Sequence, residues 1–177
     1  MPITYNDKGK GYVLGSVRIE LPTDQKFLYR IQTHYGSMDR LINDLIKPTL
    51  GKVILACGPL MTSLESVSEK RTDLIAYATD QLNYGVYKTM VKEEETTDQL
   101  TNEIKIIRIA SLITDSVSPN GYKRQEESPF AYYGLKVSQL SISDMEYEQA
   151  TIDQINKQRE ADMSIAVSYT HLRAHET

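Results

Sequence analysis

Apolar and polar residues alternate near the start of the chain, and this pattern predicts a β-strand followed by a short helix. Val17, Ile19 and Leu21 are separated by polar residues, which is the two-residue period of a strand with one wet face. Pro22 ends the strand because proline cannot donate to a ladder. Either Thr23 or Asp24 can then cap a helix. Its apolar face consists of Phe27, Leu28 and Ile31.

Helical spacing dominates the next stretch of the chain. The apolar positions that follow the turn at Gly36 are Met38, Leu41, Ile42, Leu45, Ile46, Leu50, Val53 and Ile54. Pro48 lies among them, so we expect a helix interrupted or kinked near that residue. A second helix should begin at one of two capping boxes and end at Gly85. The boxes are Thr62 with Glu65 and Ser66 with Glu69; the inward face is Val67, Leu74, Ile75, Ala78 and Leu82.

The middle of the chain is predicted to be extended. Residues 86–91 form a first extended segment, 92–99 form a polar connection, and 103–113 are the segment richest in β-branched residues. The 116–129 stretch has many turn-forming residues and an Asn-Gly pair, so it should return the chain to a final strand as a long hairpin.

The final strand leads into a polar helix. Its apolar residues, Leu135, Val137, Leu140 and Ile142, shift face once near Ser138. Ser143 and Glu146 form a capping box, so a helix should begin beside Asp144. Beyond Tyr147 the apolar residues are chiefly Ile152 and Ile155. We therefore expect a solvated arm, or a helix that packs sparsely against copies of itself.

These elements predict an α+β fold. It is a mostly antiparallel sheet with two or three helices packed on one face, followed by an extended polar helix of the coiled-coil type. A chain of 177 residues is long enough for one domain with a real core. The net charge of -4 does not favour polyanions, so no nucleic acid partner is expected.

The cysteine content and the hydropathy of the chain limit the cellular compartments in which we expect the protein. Cys57 is the only cysteine, so an intramolecular disulfide is impossible, and we expect a buried helical thiol in a reducing compartment. The apolar runs are far shorter than a membrane span of about 20 residues, so this chain is expected to be soluble and cytoplasmic.

The C-terminal residues 168–177 read SYTHLRAHET, which resembles a translated sequencing adapter. His171 and His175 are therefore set aside, although H-x-x-x-H is a spacing found in metal sites. We expect the natural chain to extend beyond both ends of this sequence, with an anchoring segment before Met1.

The order of these blocks resembles the SPFH or band 7 domain, the family of stomatins, prohibitins, flotillins and the bacterial HflK/HflC pair, including phage members. The strongest pieces are DQLNYGVY at 80–87 and YYGLKVSQLSISD at 132–144. The resemblance implies a core domain over residues 1–143, with its N-terminal part missing. It also implies an assembly helix whose first part is residues 144–167. It also covers the upstream blocks from residue 7.

The resemblance implies a function as well as a fold. It implies a non-enzymatic, membrane-associated scaffold that homo-oligomerises through its domains and its C-terminal helix. Such assemblies organise membrane or regulate a membrane-bound AAA+ protease. The membrane would be reached through an anchor outside this sequence. No catalytic, cofactor-binding or metal-binding residue is implied.

Two clusters have a chemical alternative. Gly9, Gly11 and Gly15 depart from the spacing of the dinucleotide fingerprint, so a turn and strand entry is favoured over phosphate binding. The run Glu93, Glu94 and Glu95 could hold a hard cation with Asp98, but it lacks the spacing of a calcium loop. A solvated charge run is favoured.

The other polar candidates are also interpreted structurally. His34 ends a short helix beside Tyr35, where a structural or dipole role is favoured over general-base catalysis. Ser63, Ser66 and Ser143 are placed as helix caps. The alternative function is a soluble enzyme or small-ligand module with His34, Asp73 or the acidic run in a cleft. A virion component is a third alternative.

Overall fold

The computed structural model describes residues 1–97 and 101–175, and its fold is α+β as predicted. The strands are β1 Pro2–Thr4, β2 Lys10–Glu20, β3 Thr89–Thr97, β4 Ile104–Leu112 and β5 Lys136–Tyr147. The helices are α1 Gln25–His34, α2 Met38–Arg40, α3 Lys47–Cys57, α4 Ser63–Val67, α5 Arg71–Tyr84, α6 Pro129–Tyr132 and α7 Gln149–His175. Every strand pairing among the described residues is antiparallel, in two separate sheets.

The larger sheet has the strand order β1-β2-β5, and two serines mark irregularities in its long ladder. The register shifts at Ser138 and again at Ser143, so each of these residues is left without a direct partner. Such bulges turn the following side chains to the other face. The Ser138 hydroxyl donates to the carbonyl of Arg18 at 3.3 Å, and the Ser143 hydroxyl to that of Leu14 at 3.2 Å. The predicted change of face near Ser138 is confirmed.

The predicted start of the last helix is wrong. Residues 144–147 continue strand β5 opposite residues 11–14 of β2, and α7 begins only at Gln149. The ladder of backbone hydrogen bonds with β2 stabilises residues 144–147 more than a local capping box would. It satisfies backbone N–H and C=O groups that the end of a helix would leave without partners. Gly11 and Gly15 therefore lie inside β2, where the sequence suggested a turn before the strand.

The interruption predicted near Pro48 is confirmed, and it takes the form of a π-helical segment. Residues Leu41–Ile46 form this segment between α2 and α3, and the N–H of Lys47 donates to the carbonyl of Ile42, five residues earlier. Pro48 falls in the first turn of α3, where its missing N–H costs little. The wider turn thus lets one apolar face continue past the proline.

The second predicted helix begins where expected but is divided in two. The capping box of Thr62 and Glu65 is present, with both of its hydrogen bonds. The chain leaves helical geometry after Val67, which is exposed and does not face inward as predicted. Helix α5 then buries Leu74, Ala78 and Leu82, as predicted.

The polar connection predicted at 92–99 is also wrong over the described residues. Lys92 to Thr97 belong to strand β3, which pairs with β4 in a two-stranded sheet of its own. The 116–129 stretch therefore does not form a hairpin between β4 and β5. It turns at Asn120 and Gly121, where φ is 56° and 77°, and leads into α6. The pairing of β5 with β2 joins segments that are distant in sequence.

A single apolar core joins α3 and α5 to the larger sheet. Its buried residues include Ile3, Leu41, Val53, Cys57, Met61, Leu74, Leu82, Phe130, Leu135 and Val137. Burying each of the larger side chains contributes roughly 1.5–3 kcal/mol. The Cys57 side chain has no exposed surface, which confirms the prediction of a buried thiol.

Helix α7 is anchored only at its beginning. Thr151 and Ile155 are buried, whereas most residues from Asn156 to His175 are exposed. The 27 residues of the helix give it a length of about 40 Å. The helix continues through residue 168 without a break. Among the described residues, no helix combines the length and apolar character needed to span a membrane.

We expect Gly85 and Gly134 to be sensitive to substitution. Their φ values are +112° and +69°, and a Cβ atom at Gly85 would lie 2.0 Å from the carbonyl oxygen of Glu126. Replacing either by Val should lower the free energy of unfolding by roughly 1–3 kcal/mol. Gly51→Ala is the control, because a Cβ atom there meets nothing within 4 Å. Urea denaturation would measure all three, and unchanged midpoints for both Val variants would contradict the turn assignments.

Removing residues 168–177 should leave the thermal midpoint within about 2 °C of its original value. The described part of this segment, 168–175, is exposed throughout. Differential scanning calorimetry of the two chains would measure the change. A larger shift would mean that the segment packs on the domain.

Candidate functional site

A buried ion pair fastens the loop before α6 to the end of α5. Arg124 Nη2 lies 2.7 Å from Asp80 Oδ2, and the two side chains are only 8% and 13% exposed. The same guanidinium donates to the carbonyls of Gly85 and Pro119 and lies 4.7 Å over the ring of Tyr87. Such a pair loses stability when one partner is removed, so its role here is structural.

Tyr87 completes this cluster. Its hydroxyl donates to Asp80, and its backbone N–H donates to the side chain of Gln81. Burial raises the pKa of the Tyr87 phenol, and the hydrogen bond to the Asp80 carboxylate raises it further. The phenol therefore holds its proton as a fixed donor. No local pattern predicts this cluster, because Asp80 and Arg124 are far apart in sequence and neither belongs to a motif.

A second polar cluster anchors the start of α7. The Asp7 carboxylate accepts hydrogen bonds from the backbone N–H of Ser63 at 2.9 Å, from its hydroxyl at 2.6 Å and from the N–H of Gly9. Thr151 Oγ1 accepts from the N–H of Lys10 at 2.9 Å. The loop between β1 and β2 therefore holds both α4 and α7 in place.

The serines predicted as helix caps have other roles. Ser63 is the first residue of α4 and bonds to Asp7, while Thr62 is the cap. Ser66 donates to the carbonyl of Ser63 at 2.6 Å, and its hydroxyl lies 3.0 Å from that of Tyr147. Ser143 lies in β5. The sequence identified the capping box but not these tertiary bonds.

The residues of the enzyme alternative lie on three different elements. His34 ends α1, Asp73 lies on α5 and the acidic run lies on β3. His34 Nδ1 is 2.7 Å from the hydroxyl of Tyr133, beside the rings of Tyr35 and Tyr133. Over residues 1–97 and 101–175, no hydrogen bond or ion pair joins these three places. His34 thus links α1 to the turn before β5.

The acidic run is part of a strand and not of a loop. Glu93 Oε1 lies 2.9 Å from Arg108 Nε on the neighbouring strand. Asp98, the fourth residue of the cation alternative, lies outside the described residues. Within the described ranges, no three His, Cys, Asp or Glu side chains lie close enough together to hold a metal ion.

The β3–β4 hairpin, residues Thr89–Thr97 and Ile104–Leu112, is called the ribbon below. Opposite residues share one face, so the register places Val91, Ile106 and Ile104 on the same side. Their exposed fractions are 68%, 63% and 68%. An isolated two-stranded hairpin is only marginally stable in water. The same side also carries Glu93, Glu95 and Arg108, so the ribbon presents a face of mixed apolar and charged side chains that a partner could cover.

The two strands of the ribbon differ in charge. Strand β3 has three glutamates and one lysine, a net charge of -2, while β4 has Lys105 and Arg108 and no acidic residue, a net charge of +2. In the described part of the chain no third strand pairs with either of them. The extended segment predicted at 86–91 overlaps the start of β3, but residues 92–97 were predicted as a connection because Glu and Lys are depleted in strands.

The exposed part of α7, residues 156–175, is called the arm below. Before residue 168 it also carries apolar side chains in solvent, Met163 and Val167. A polar groove of about 970 Å³ separates the helix from the end of the ribbon, with Thr96 and Lys105 on one side and Lys157 and Asp162 on the other. The ribbon and the arm are the candidate functional surfaces.

Comparisons with protein-family models, with curated proteins and with solved structures gave no match. The SPFH or band 7 resemblance therefore stays a prediction from the sequence.

We expect the protein to lose stability at alkaline pH. The pKa values of Tyr5 and Tyr87 are raised by burial, so the folded protein holds protons that the unfolded chain releases above about pH 10. The free energy of unfolding should be fully retained below that pH and should fall above it. Urea titrations from pH 8 to 11 would measure the fall.

Tyr87→Phe separates this effect from general alkaline unfolding. The variant should be less stable at pH 8, because Asp80 loses a hydrogen bond. It should lose less further stability above pH 10. The control is Tyr29→Phe, a substitution at an exposed tyrosine. Its free energy of unfolding should fall with pH as steeply as that of the original protein. An unchanged slope for Tyr87→Phe would contradict the prediction.

Proposed function

We propose that this chain is the assembly unit of a non-enzymatic, membrane-associated scaffold of the SPFH or band 7 kind. The observation that carries the proposal is the pair of projecting elements, the ribbon and the arm, which both place apolar side chains in solvent. Scattered apolar residues are normal at a protein surface, but exposed apolar residues on a hairpin whose outer edges are unpaired are typical of an interaction surface.

The arm supports assembly through weak contacts. Only residues 156–167 of the arm precede the segment that resembles an adapter, and they provide fewer than two heptads, which is too short for a stable coiled coil in water. Ile155 packs on its own domain and is not available to a partner helix. Copies of the chain should therefore associate weakly in dilute solution. They should associate more strongly when they are held close together.

A membrane surface would hold the copies together in this way. The resemblance implies an anchor outside these residues, and binding in two dimensions raises the local concentration without any new contact. A membrane-bound AAA+ protease remains a partner that the resemblance predicts.

The buried charged groups support a structural interpretation of the domain. Arg124 and Asp80 hold a loop, and Asp7 holds Ser63 at the start of α4. These partners are fixed by hydrogen bonds inside the domain. Each group thus contributes to the rigidity of the platform from which the ribbon and arm project.

We expect the chain to assemble when it is tethered to a bilayer. The full chain would carry an N-terminal hexahistidine tag and bind phosphatidylcholine vesicles that contain a nickel-chelating lipid. Glu69→Cys provides an exposed site for donor or acceptor dyes. Cys57 should not compete for the dyes, because burial raises the pKa of its thiol to about 12. Energy transfer should exceed that of a tagged inert protein at the same surface density.

Two results would oppose the proposal. Energy transfer equal to that of the inert protein would show that the tethered chains do not assemble. Turnover of a small-molecule substrate that is lost on His34→Ala, with the fold intact by circular dichroism, would favour the enzyme alternative.

In dilute solution, sedimentation should show a monomer or weak dimer.

A further inference from the structure

Among the described residues, the ribbon leaves both of its outer edges without a partner strand. In the larger sheet β1 pairs only with residues 10–12 of β2, and the opposite edge is covered. The outer edge of β5 is covered by α5, where Asn83 bonds to both the N–H and the carbonyl of Val137, at 2.8 and 3.2 Å. Arg71 donates to the carbonyl of Ile142 at 3.1 Å. All described residues of β3, and residues 104–108 of β4, are exposed. An exposed edge is a template for a further strand.

From these edges we infer that copies of the chain join head to tail through their ribbons, with β3 of one copy pairing with β4 of the next. This inference rests on the proposed function and names the interface that it uses. The occupant of each edge is a second copy of this chain. The result is a continuous antiparallel sheet, because β3 and β4 already run antiparallel to one another.

Charge selects this pairing over the symmetric alternatives. Two copies joined through β3 would place Glu93, Glu94 and Glu95 of one against the same residues of the other. Two copies joined through β4 would bring Lys105 and Arg108 close to their equivalents. Like charges directly opposite each other destabilise a strand pair, whereas opposite charges stabilise it. Only the pairing of β3 with β4 places a strand of charge -2 beside one of charge +2.

The structure already contains one example of this complementarity. Within a single ribbon, Glu93 of β3 forms an ion pair with Arg108 of β4. A head-to-tail array repeats the same neighbours at every junction. Val91, Ile104 and Ile106 of successive copies would then lie on one side of the sheet, beside the ion pair of Glu93 and Arg108. Such heterologous contacts close into a ring where the rotation between copies allows it.

The test uses chains whose ribbon charges are exchanged. The variant E93K/E95K/K105E/R108E has an acidic β4 and a basic β3, and it keeps both the net charge of the chain and an opposite-charge pair at positions 93 and 108. Its own ribbon therefore remains complementary. On the tagged vesicles, exchanged chains should show energy transfer among themselves. Between exchanged and original chains, energy transfer should fall to the level of the inert protein.

Half-exchanged chains provide a second measurement. The assembly constant should fall at least tenfold for the variant E93K/E95K and for the variant K105E/R108E. An equimolar mixture of the two variants should recover the original assembly constant. E20K/E127K is the matched control for E93K/E95K: it makes the same charge change at exposed positions away from the ribbon, and it should assemble like the original chain. Higher salt should weaken every one of these assemblies.

The possible failures are distinguishable. If original chains assemble but mix freely with exchanged chains, the ribbon interface is wrong and the scaffold remains. Exchanged chains that do not assemble with themselves, or half-exchanged chains that do not recover on mixing, also overturn the interface. If the original chains do not assemble on vesicles at all, both proposals fail.

Discussion

The pairing of β2 with β5 is the interaction on which the rest of the structure depends. It joins residues 11–20 to residues 136–147 and fixes where the last helix begins. Two bulges, at Ser138 and Ser143, let one ladder continue while the side chains change face. Helices α3 and α5 then cover the sheet, and Asn83 closes its outer edge. These side-chain bonds occupy backbone groups at the outer edge of β5 that a further strand would otherwise use.

Two buried polar clusters connect this body to the elements that leave it. Asp7 bonds to α4 beside the first turns of α7, and the pair of Asp80 and Arg124 holds the loop that pairs with the base of the ribbon. Buried hydrogen-bonded groups of this kind specify one arrangement, because any alternative would leave a polar atom unsatisfied. The ribbon and arm can therefore project into solvent from a rigid base.

The proposed assembly follows from a contrast between the body and these projections. In the body, α5 covers the outer edge of β5, whereas the ribbon leaves two edges exposed with opposite charges. Strand pairing provides many weak bonds at once, so its strength depends strongly on how close the copies are held. A scaffold that forms only at a membrane surface would use such contacts, and a monomer in dilute solution is compatible with it.

The sequence by itself determined the local elements: the strand ending at Pro22, the cap at Asp24, the interruption near Pro48, the capping box at Thr62 and the polar arm. Each of these depends on residues within about one or two turns of each other, so spacing predicts them. Only the tertiary structure decided that Glu93 and its neighbours form a strand, that Ser143 lies in a ladder and that Asp80 meets Arg124. In each case the deciding partner is distant in sequence, and long-range hydrogen bonding overrides local propensity.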